Sequence, residues 1–429
     1  MKIKFLFFFI LFLFSSPLFS EENLLFFNLE KALEVGIKNS PELAQMEKDL
    51  KKAELDISIN QAAFYPTLFL GGGYNLSESR HSPGWNPDYH RATAEIDWTL
   101  YDYGRRFLHL KTVRSINRSL KENYRRAYQN KSIEITSAYL SVLKGKELVN
   151  LSKKRLERAE RYYGLTETKL KVGLVSYADL LKSKVEVKSA ESGLISDFNN
   201  LSLSKIKLTN LLGLEKEVDY QLDPEIKISF PFLPLEKSLS EALSKRPEIK
   251  EEEEKKIQAD YAYRLVRKDY LPSCSLKGNY DYYLNRDLSG YPDTTNWTFF
   301  LTVEVPIFDA GIRRSRLKQA ELNKEKLNFS EERLIRDITE DVSSAFFNLQ
   351  NSEKLKEVQE ERVTAANESL RLATARYEEG ISSILEVIDA QTDLVSAETD
   401  RINTLFNYQL AKANLIVSIG KNIEDYLSN

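Results

Sequence analysis

Apolar positions in this chain recur at two different spacings, and the change from one to the other follows a fixed order. A short helical stretch from Leu29 is followed by a second, from Pro41 to about Ala63. From Tyr65 the pattern turns to alternation, with Pro66, Leu68, Leu70, Gly72, Tyr74 and Leu76 on one face; a two-residue period is that of a strand. A second run sets Ala92, Ala94, Ile96, Trp98 and Leu100 against Thr93, Glu95, Asp97 and Thr99. Later in the chain the same pair returns. Cys274, Leu276, Tyr280 and Tyr282 alternate first, then Trp297, Phe299, Leu301, Val303, Val305 and Ile307. Asn296, Thr298, Thr302 and Glu304 face the other way, with Phe300 as the exception. The pattern predicts four strands, at about 64–77, 90–103, 271–284 and 296–309. Each pair precedes a run of 68 residues without proline, 105–172 and 312–379, or ~100 Å of continuous helix. Within the first, Leu143, Leu148, Leu151, Leu156, Ala159 and Tyr163 recur at spacings of three to five, like a coiled-coil seam with local slips. Returning helices are predicted over Tyr177–Leu212 and Ile384–Ile419.

The order repeats because the sequence does. Leu29-Glu30-Lys31-Ala32-Leu33 leading to Pro41-Glu42-Leu43 recurs as Leu235-Glu236-Lys237-Ser238-Leu239 leading to Pro247-Glu248-Ile249. Asp102 and Gly104 recur as Asp309 and Gly311, Ala138-Tyr139 as Ala345-Phe346, Gly173 as Gly380, and Leu212-Gly213 as Ile419-Gly420. Every pair is 206 or 207 residues apart, so the chain reads as a duplication. Its divisions are a leader at 1–20, a first copy over 21–233 with a helical-hairpin tip at 172–176, and a second copy over 234–429 with a tip at 379–383.

The leader fixes the compartment. Lys2 and Lys4 precede an apolar run from Phe5 to Phe14, then Ser15, Ser16, Pro17 and Ser20, the layout of a secretory signal peptide. Ten apolar residues fall short of the ~20 a spanning helix needs. Glu21 rather than a cysteine follows the expected cut, so no lipid anchor is indicated. Removing the leader takes the formal charge from −3 to −5, which argues against nucleic acid as a partner. One cysteine, Cys274, excludes an internal disulfide framework, and His81, His90 and His109 show no metal-ligand spacing. No nucleophile elbow or phosphate-binding glycine loop is present, so neither an enzyme nor a cofactor is expected.

Two hairpins covering a soluble core would account for four amphipathic strands, but not for Glu95 and Glu304 on the opposite face. The strands have the ~9–11 residues of a tilted transmembrane strand, and Trp98, Trp297, Tyr101 and Tyr103 lie where an aromatic girdle would sit. One chain cannot close such a sheet, and open edges in hydrocarbon leave unpaired backbone groups costing several kcal/mol each. Two chains would form a barrel of eight strands, filled by its own side chains, whereas three would leave a pore. Three is therefore the smallest conducting assembly, and strand counting alone leaves two open.

The duplicated order, Asp102-x-Gly104 and Asp309-x-Gly311, and the turns Val172-Gly173-Leu174-Val175 and Glu379-Gly380-Ile381-Ser382 resemble the TolC family of outer-membrane efflux proteins over the whole mature chain. The resemblance implies a mainly α fold with a small β part. Four transmembrane strands per chain would form a twelve-stranded β-barrel as a trimer, continued by a twelve-helix coiled-coil tunnel across the periplasm. A partial α/β belt at about 213–240 and the C-terminus is implied as well. So are a function as the passive exit duct of a tripartite efflux or type I secretion system, and three kinds of partner: outer-membrane lipid, a periplasmic adaptor and an inner-membrane transporter. The tips would dock the adaptor through Val172, Gly173, Leu174, Gly380 and Ile381. Gate residues carried over are Asp389, Glu386, Asp179 and Tyr377, with Asp179 and Tyr377 matching the acidic and aromatic partners of a closed-state bracket. Ser382 and Ala178 stand where that bracket has an arginine and a threonine. Ser176-x-x-Asp179 and Ser383-x-x-Glu386 also read as capping boxes, and Lys182 is the first-copy equivalent of Asp389. The rival reading is a periplasmic coiled-coil or adaptor-like protein without a channel, which explains the helices but not the strands.

Overall fold

The computed structural model of the chain describes residues 25–75, 89–215, 220–226, 228–231, 233–285 and 294–427. The leader at 1–20, Leu76 and His81 lie outside them. In chain order the elements are β1 (Leu25–Phe27), α1 (Leu29–Lys38), α2 (Pro41–Ala62), β2 (Thr67–Asn75), β3 (Tyr89–Tyr101), α3 (Arg105–Lys171) and α4 (Tyr177–Leu212). Then follow β4 (Tyr220–Leu222), α5 (Leu235–Lys245), α6 (Pro247–Lys268), β5 (Ser273–Asn285), β6 (Thr294–Glu304), α7 (Ile312–Glu378) and α8 (Ile384–Ser418). Helices α3 and α7 are each 67 residues, about 100 Å at 1.5 Å per residue. Among the described residues no helix is apolar and long enough to cross a membrane.

Local chemistry sets the helix ends. The Asn28 side chain accepts from the Lys31 amide at the start of α1, and Ser40 accepts from Leu43 where Pro41 opens α2, each satisfying an amide that has no partner within its helix. Gly213, left-handed at φ 64°, ends α4.

Side by side, β2, β3, β5 and β6 form one antiparallel sheet in that order. The two hairpins meet where Trp98 stands opposite Leu276 and Ile96 opposite Gly278. Strand β2 starts at Thr67 rather than at about 64, and two strand ends also differ from the alternation. Strand β3 stops at Tyr101 after a register shift between Thr99 and Tyr101, and β6 stops at Glu304, not at 309. Pro306 carries no N–H for a ladder, and the chain beyond it turns into α7.

The helices are layered in two tiers. Toward the sheet, α2 packs on α3, α3 on α6 and α6 on α7. Toward the tips, α4 packs on α3, α3 on α8 and α8 on α7. Between the tiers sits the main core, where Phe27, Leu33, Ile135, Tyr139, Leu208, Leu212, Ile228 and Ile416 are almost wholly buried. Strands β1 and β4 pair in parallel there, and Ile228 bridges Leu427. The Tyr139 hydroxyl lies 3.0 Å from the carbonyls of both Phe27 and Asp223. Burial pushes this phenol above its ordinary range, and the Asp223 charge acts in the same direction. This belt draws on β1 as well as on the region after Gly213.

Candidate functional site

Among the described residues no helix packs across the four-stranded sheet. Leu68, Leu70, Trp297, Phe299, Leu301 and Val303 are all exposed, and the register puts Leu68, Ile96, Gly278 and Phe299 in one row. Rows of the opposite face read Gly71, Thr93, Asp281, Asn296 and Thr67, Asp97, Lys277, Phe300. Charges on that face pair across strands, Arg91 with Asp281 at 2.8 Å and Lys277 with Asp97 at 3.7 Å. An exposed apolar face backed by a polar one suits a sheet between lipid and water. Among the described residues, strands β2 and β6 each have one side without a partner strand, which hydrocarbon does not tolerate. Of the proposed girdle, the Trp98 indole donates to the Phe64 carbonyl at 3.1 Å, and the Tyr101 and Tyr103 rings meet tilted at 59° with centroids 4.8 Å apart.

At the foot of each hairpin the chain enters its long helix through an elbow. Tyr103 and Gly104, and again Ala310 and Gly311, are consecutive left-handed residues, a conformation costly for the non-glycine member. The aspartate holds the turn. Asp102 accepts from the Gly104 amide at 3.0 Å, the Arg106 amide at 2.9 Å and Arg106 Nε at 3.0 Å. Asp309 does the same with Gly311 at 3.2 Å and with the Arg313 amide and Nε at 2.8 and 2.7 Å. Each arginine then ties the elbow to its surroundings. Arg106 donates to the Ala63 and Leu100 carbonyls and lies over the Phe64 ring; Arg313 donates to those of Asp269 and Pro306 and lies over Tyr270. Burial works to raise the Asp102 carboxyl, but the Arg106 and Gly104 donors outweigh it and hold it below the usual range. The motif is thus Asp-x-Gly-x-Arg in both halves, with Arg106 and Arg313 as its third members.

The tips combine exposed apolar side chains with a knot of hydroxyls. Gly173 and Gly380 both sit at φ 77°, ending the helices as a left-handed cap requires. Beside them Val172, Leu174 and Ile381 are about two-thirds exposed. Asp179 closes a capping box with Ser176. The matching box in the second copy does not form: Ser383 makes no side-chain cap bond, and the Glu386 carboxylate pairs with Arg376 at 3.2 Å instead of reaching back to the cap. Asp389 is exposed and shares a groove between α7 and α8 with Leu372, Arg376, Glu386 and Asp393. Tyr377 is 1% exposed and meets Thr166 rather than Asp179 in a hydrogen bond, at 2.8 Å. Thr166 gives its own proton to the Tyr162 carbonyl, so Tyr377 is the donor. Burial lifts the Tyr377 phenol above its ordinary range, Thr166 opposes this, and the nearby Asp179 carboxylate adds to it. Lys169 caps α7 through the Tyr377 and Glu378 carbonyls and lies 4.4 Å over the Tyr377 ring. The Ser382 hydroxyl is enclosed and has no hydrogen-bond partner among the described residues. Among the described residues no cluster of His, Cys, Asp or Glu is arranged to hold a metal ion.

The description of the outer membrane efflux protein family matches residues 33–214 and 238–421, one segment in each half. The chain belongs to the outer membrane efflux protein family. It is an outer-membrane channel component of an efflux system. The probable efflux pump outer membrane protein TtgC of Pseudomonas putida is 26% identical over 419 residues, covering 91% of this chain and 82% of the relative. Outer membrane protein TolC of Escherichia coli is 23% identical over 416 residues, covering 94% and 84%. In fold the chain is similar to CusC, with a TM-score of 0.83 at 19% identity over 92% of both chains. It is also similar to the Campylobacter jejuni CmeC outer membrane channel, with a TM-score of 0.80 at 17% identity over 91% and 85%.

Proposed function

We propose that three copies of this chain close head to tail into a twelve-stranded barrel and a twelve-helix tunnel, the passive exit duct of a tripartite pump. The reading rests on the bare sheet with its apolar face and two free edges. The helices support it, because their free edges fall on the same sides. The strands run β2-β3-β5-β6, the upper helices α2-α3-α6-α7 and the lower ones α4-α3-α8-α7. First-copy elements end one side in every tier, and β6 or α7 ends the other. Such an edge matches only the opposite edge of another copy, and a rotation that closes makes a ring. Both edges carry uncovered apolar positions. On α4 these include Leu181, Val185, Ile195, Leu203 and Ile206, on α2 Leu55 and Ile59, and on α7 Leu322, Phe329, Val358 and Leu372.

The duct would take its driving force from an inner-membrane transporter through a periplasmic adaptor. The adaptor would seat at the tips on Val172, Leu174 and Ile381 beside Gly173 and Gly380. Asp389 and Glu386 would line the entrance, and Tyr377 with Asp179 would hold it narrow through Thr166 and the capping box. Purified protein in planar bilayers should give stepwise conductance, and Asp179→Ala combined with Tyr377→Phe should raise it. Unchanged conductance in the double variant would remove these residues from the gate; no conductance from the native chain would remove the duct itself.

A further inference from the structure

The two halves of the chain repeat contacts as well as elements. In the first, α1 and α2 pack on α3, and α3 on α4; in the second, α5 and α6 pack on α7, and α7 on α8. The match reaches single atoms. Arg106 and Arg313, 207 residues apart, donate at 3.1 and 3.3 Å to the carbonyls of Ala63 and Asp269, 206 apart. Arg155 and Arg362 reach the hydroxyls of Ser189 and Ser396 alike, at 3.2 and 3.1 Å. Helices α3 and α7 are each 67 residues and α2 and α6 each 22, so both offsets hold along their whole length.

One contact of the upper tier has no counterpart among the described residues. Second-half α6 packs on first-half α3, and its image would set α2 on α7, which end opposite edges of the tier. The missing cover shows in the side chains. Ser115 of α3 is fully buried, its hydroxyl 2.7 Å from Glu254 of α6, whereas Leu322, its equivalent on α7, is apolar and yet 51% exposed. Leu55 of α2 is 64% exposed, while Tyr261, its equivalent on α6, is partly buried. The ion pairs of the α3–α6 contact then make a definite assignment. Arg118 grips Glu254 at 2.6 and 2.8 Å, and the images of these two residues are Glu325 on α7 and Lys48 on α2. Both signs are reversed, and the pair is complementary again. Lys48 and Glu325 are exposed, and among the described residues neither makes an ion pair. A second tie, Arg126 to Glu251 at 3.7 Å, becomes Arg333 and Gln45, which can still join donor to acceptor.

We propose that Lys48 of one chain pairs with Glu325 of a second copy, beside Leu55 and Leu322, as the sign-reversed image of Glu254 with Arg118. The inference rests on the head-to-tail reading above and adds the register at which two copies meet. One packed contact sets both positions, so the two residues stand at the same height. The reversal also separates the seam inside a chain from the seam between chains. An α2 seated in the place of α6 would bring Lys48 to Arg118, and an α6 in the place of α2 would bring Glu254 to Glu325. Like charges oppose either exchange. A single exposed pair adds little affinity, so it selects the register while the apolar neighbours supply the burial.

The test is zero-length carbodiimide coupling, which joins an amine only to a carboxylate within contact, on the full-length chain extracted in mild detergent at low salt. Digestion should yield a peptide linking Lys48 to Glu325, and a denaturing gel should show covalent dimers and trimers. The two residues lie on opposite edges of one protomer, so the peptide reports two chains. Lys48→Gln or Glu325→Gln should remove it, and Lys48→Glu combined with Glu325→Lys should restore a link between the same positions. Helix content checks the fold of each variant, and the native peptide needs no variant. A native trimer in which Lys48 and Glu325 stay unlinked, or no link in the exchanged chain, would overturn this register while leaving the trimer standing. A native chain whose mass in detergent is not that of a trimer would instead overturn the reading beneath it.

Discussion

At the scale of single residues, one aspartate in each half carries the junction between strand and tunnel. Asp102 is nine-tenths buried as a side chain beside an Arg106 that is little more exposed, so neither is a surface charge. Arg106→Ala leaves the carboxylate and two carbonyls short of donors and should cost about 2–3 kcal/mol, read as a fall in thermal midpoint. A carboxyl held below its ordinary range stabilises the fold above the unfolded value of ~4 and loses that contribution as pH falls through the folded one. Asp102→Asn should therefore be less stable than the native chain at neutral pH, with the gap closing in acid; a gap independent of pH would remove the charge from the account. The aspartate and glycine were legible because they recur 207 residues apart. Arg106 and Arg313 recur at the same interval, yet each opens a helix rich in basic residues, where one more arginine looks like solvated charge. Glu386 shows the reverse error. Its spacing from Ser383 fits a capping box, but Arg376 on the preceding helix competes for the carboxylate, and no local pattern reports a partner ten residues upstream.

Among the elements, helices were more legible than strands. The proline-free run from 105 to 172 coincides with α3, and glycine punctuation marks the tips. The β6 end was misread because alternation runs on through Val305 and Ile307 after Pro306 has ended the ladder. Strands β1 and β4, three residues each, are too short for a period to show. What holds them is a side chain from elsewhere: Tyr139→Phe removes the donor near the Phe27 and Asp223 carbonyls and should cost about 1–2 kcal/mol, with amide exchange rising at β1 and β4. A uniform rise across the chain would argue against a local role. Helix α4 allows a sharper separation of fold from assembly. Val185 is 68% exposed, so Val185→Asp should leave the protomer's helix content intact while reducing the trimer. Loss of helix content with it would mean that this face supports the protomer itself.

For the whole molecule, the family and the bare sheet agree on an outer-membrane channel, and duplication supplies each chain with two matching sets of its elements. Each half repeats the same order of helix, strands, long helix and returning helix, so the free edges of three tiers fall in line. Sequence made the tiers legible but not their neighbours, because which helix packs on which is a property of the fold. The central claim is that copies complete one another's edges. Electron microscopy of the full-length chain, extracted from outer membrane and returned to a lipid disc, tests it most directly. The account predicts a particle of three chains with one closed barrel of twelve strands, β6 of each chain paired with β2 of the next. A particle of two chains, or a sheet with open edges in the lipid, would contradict it.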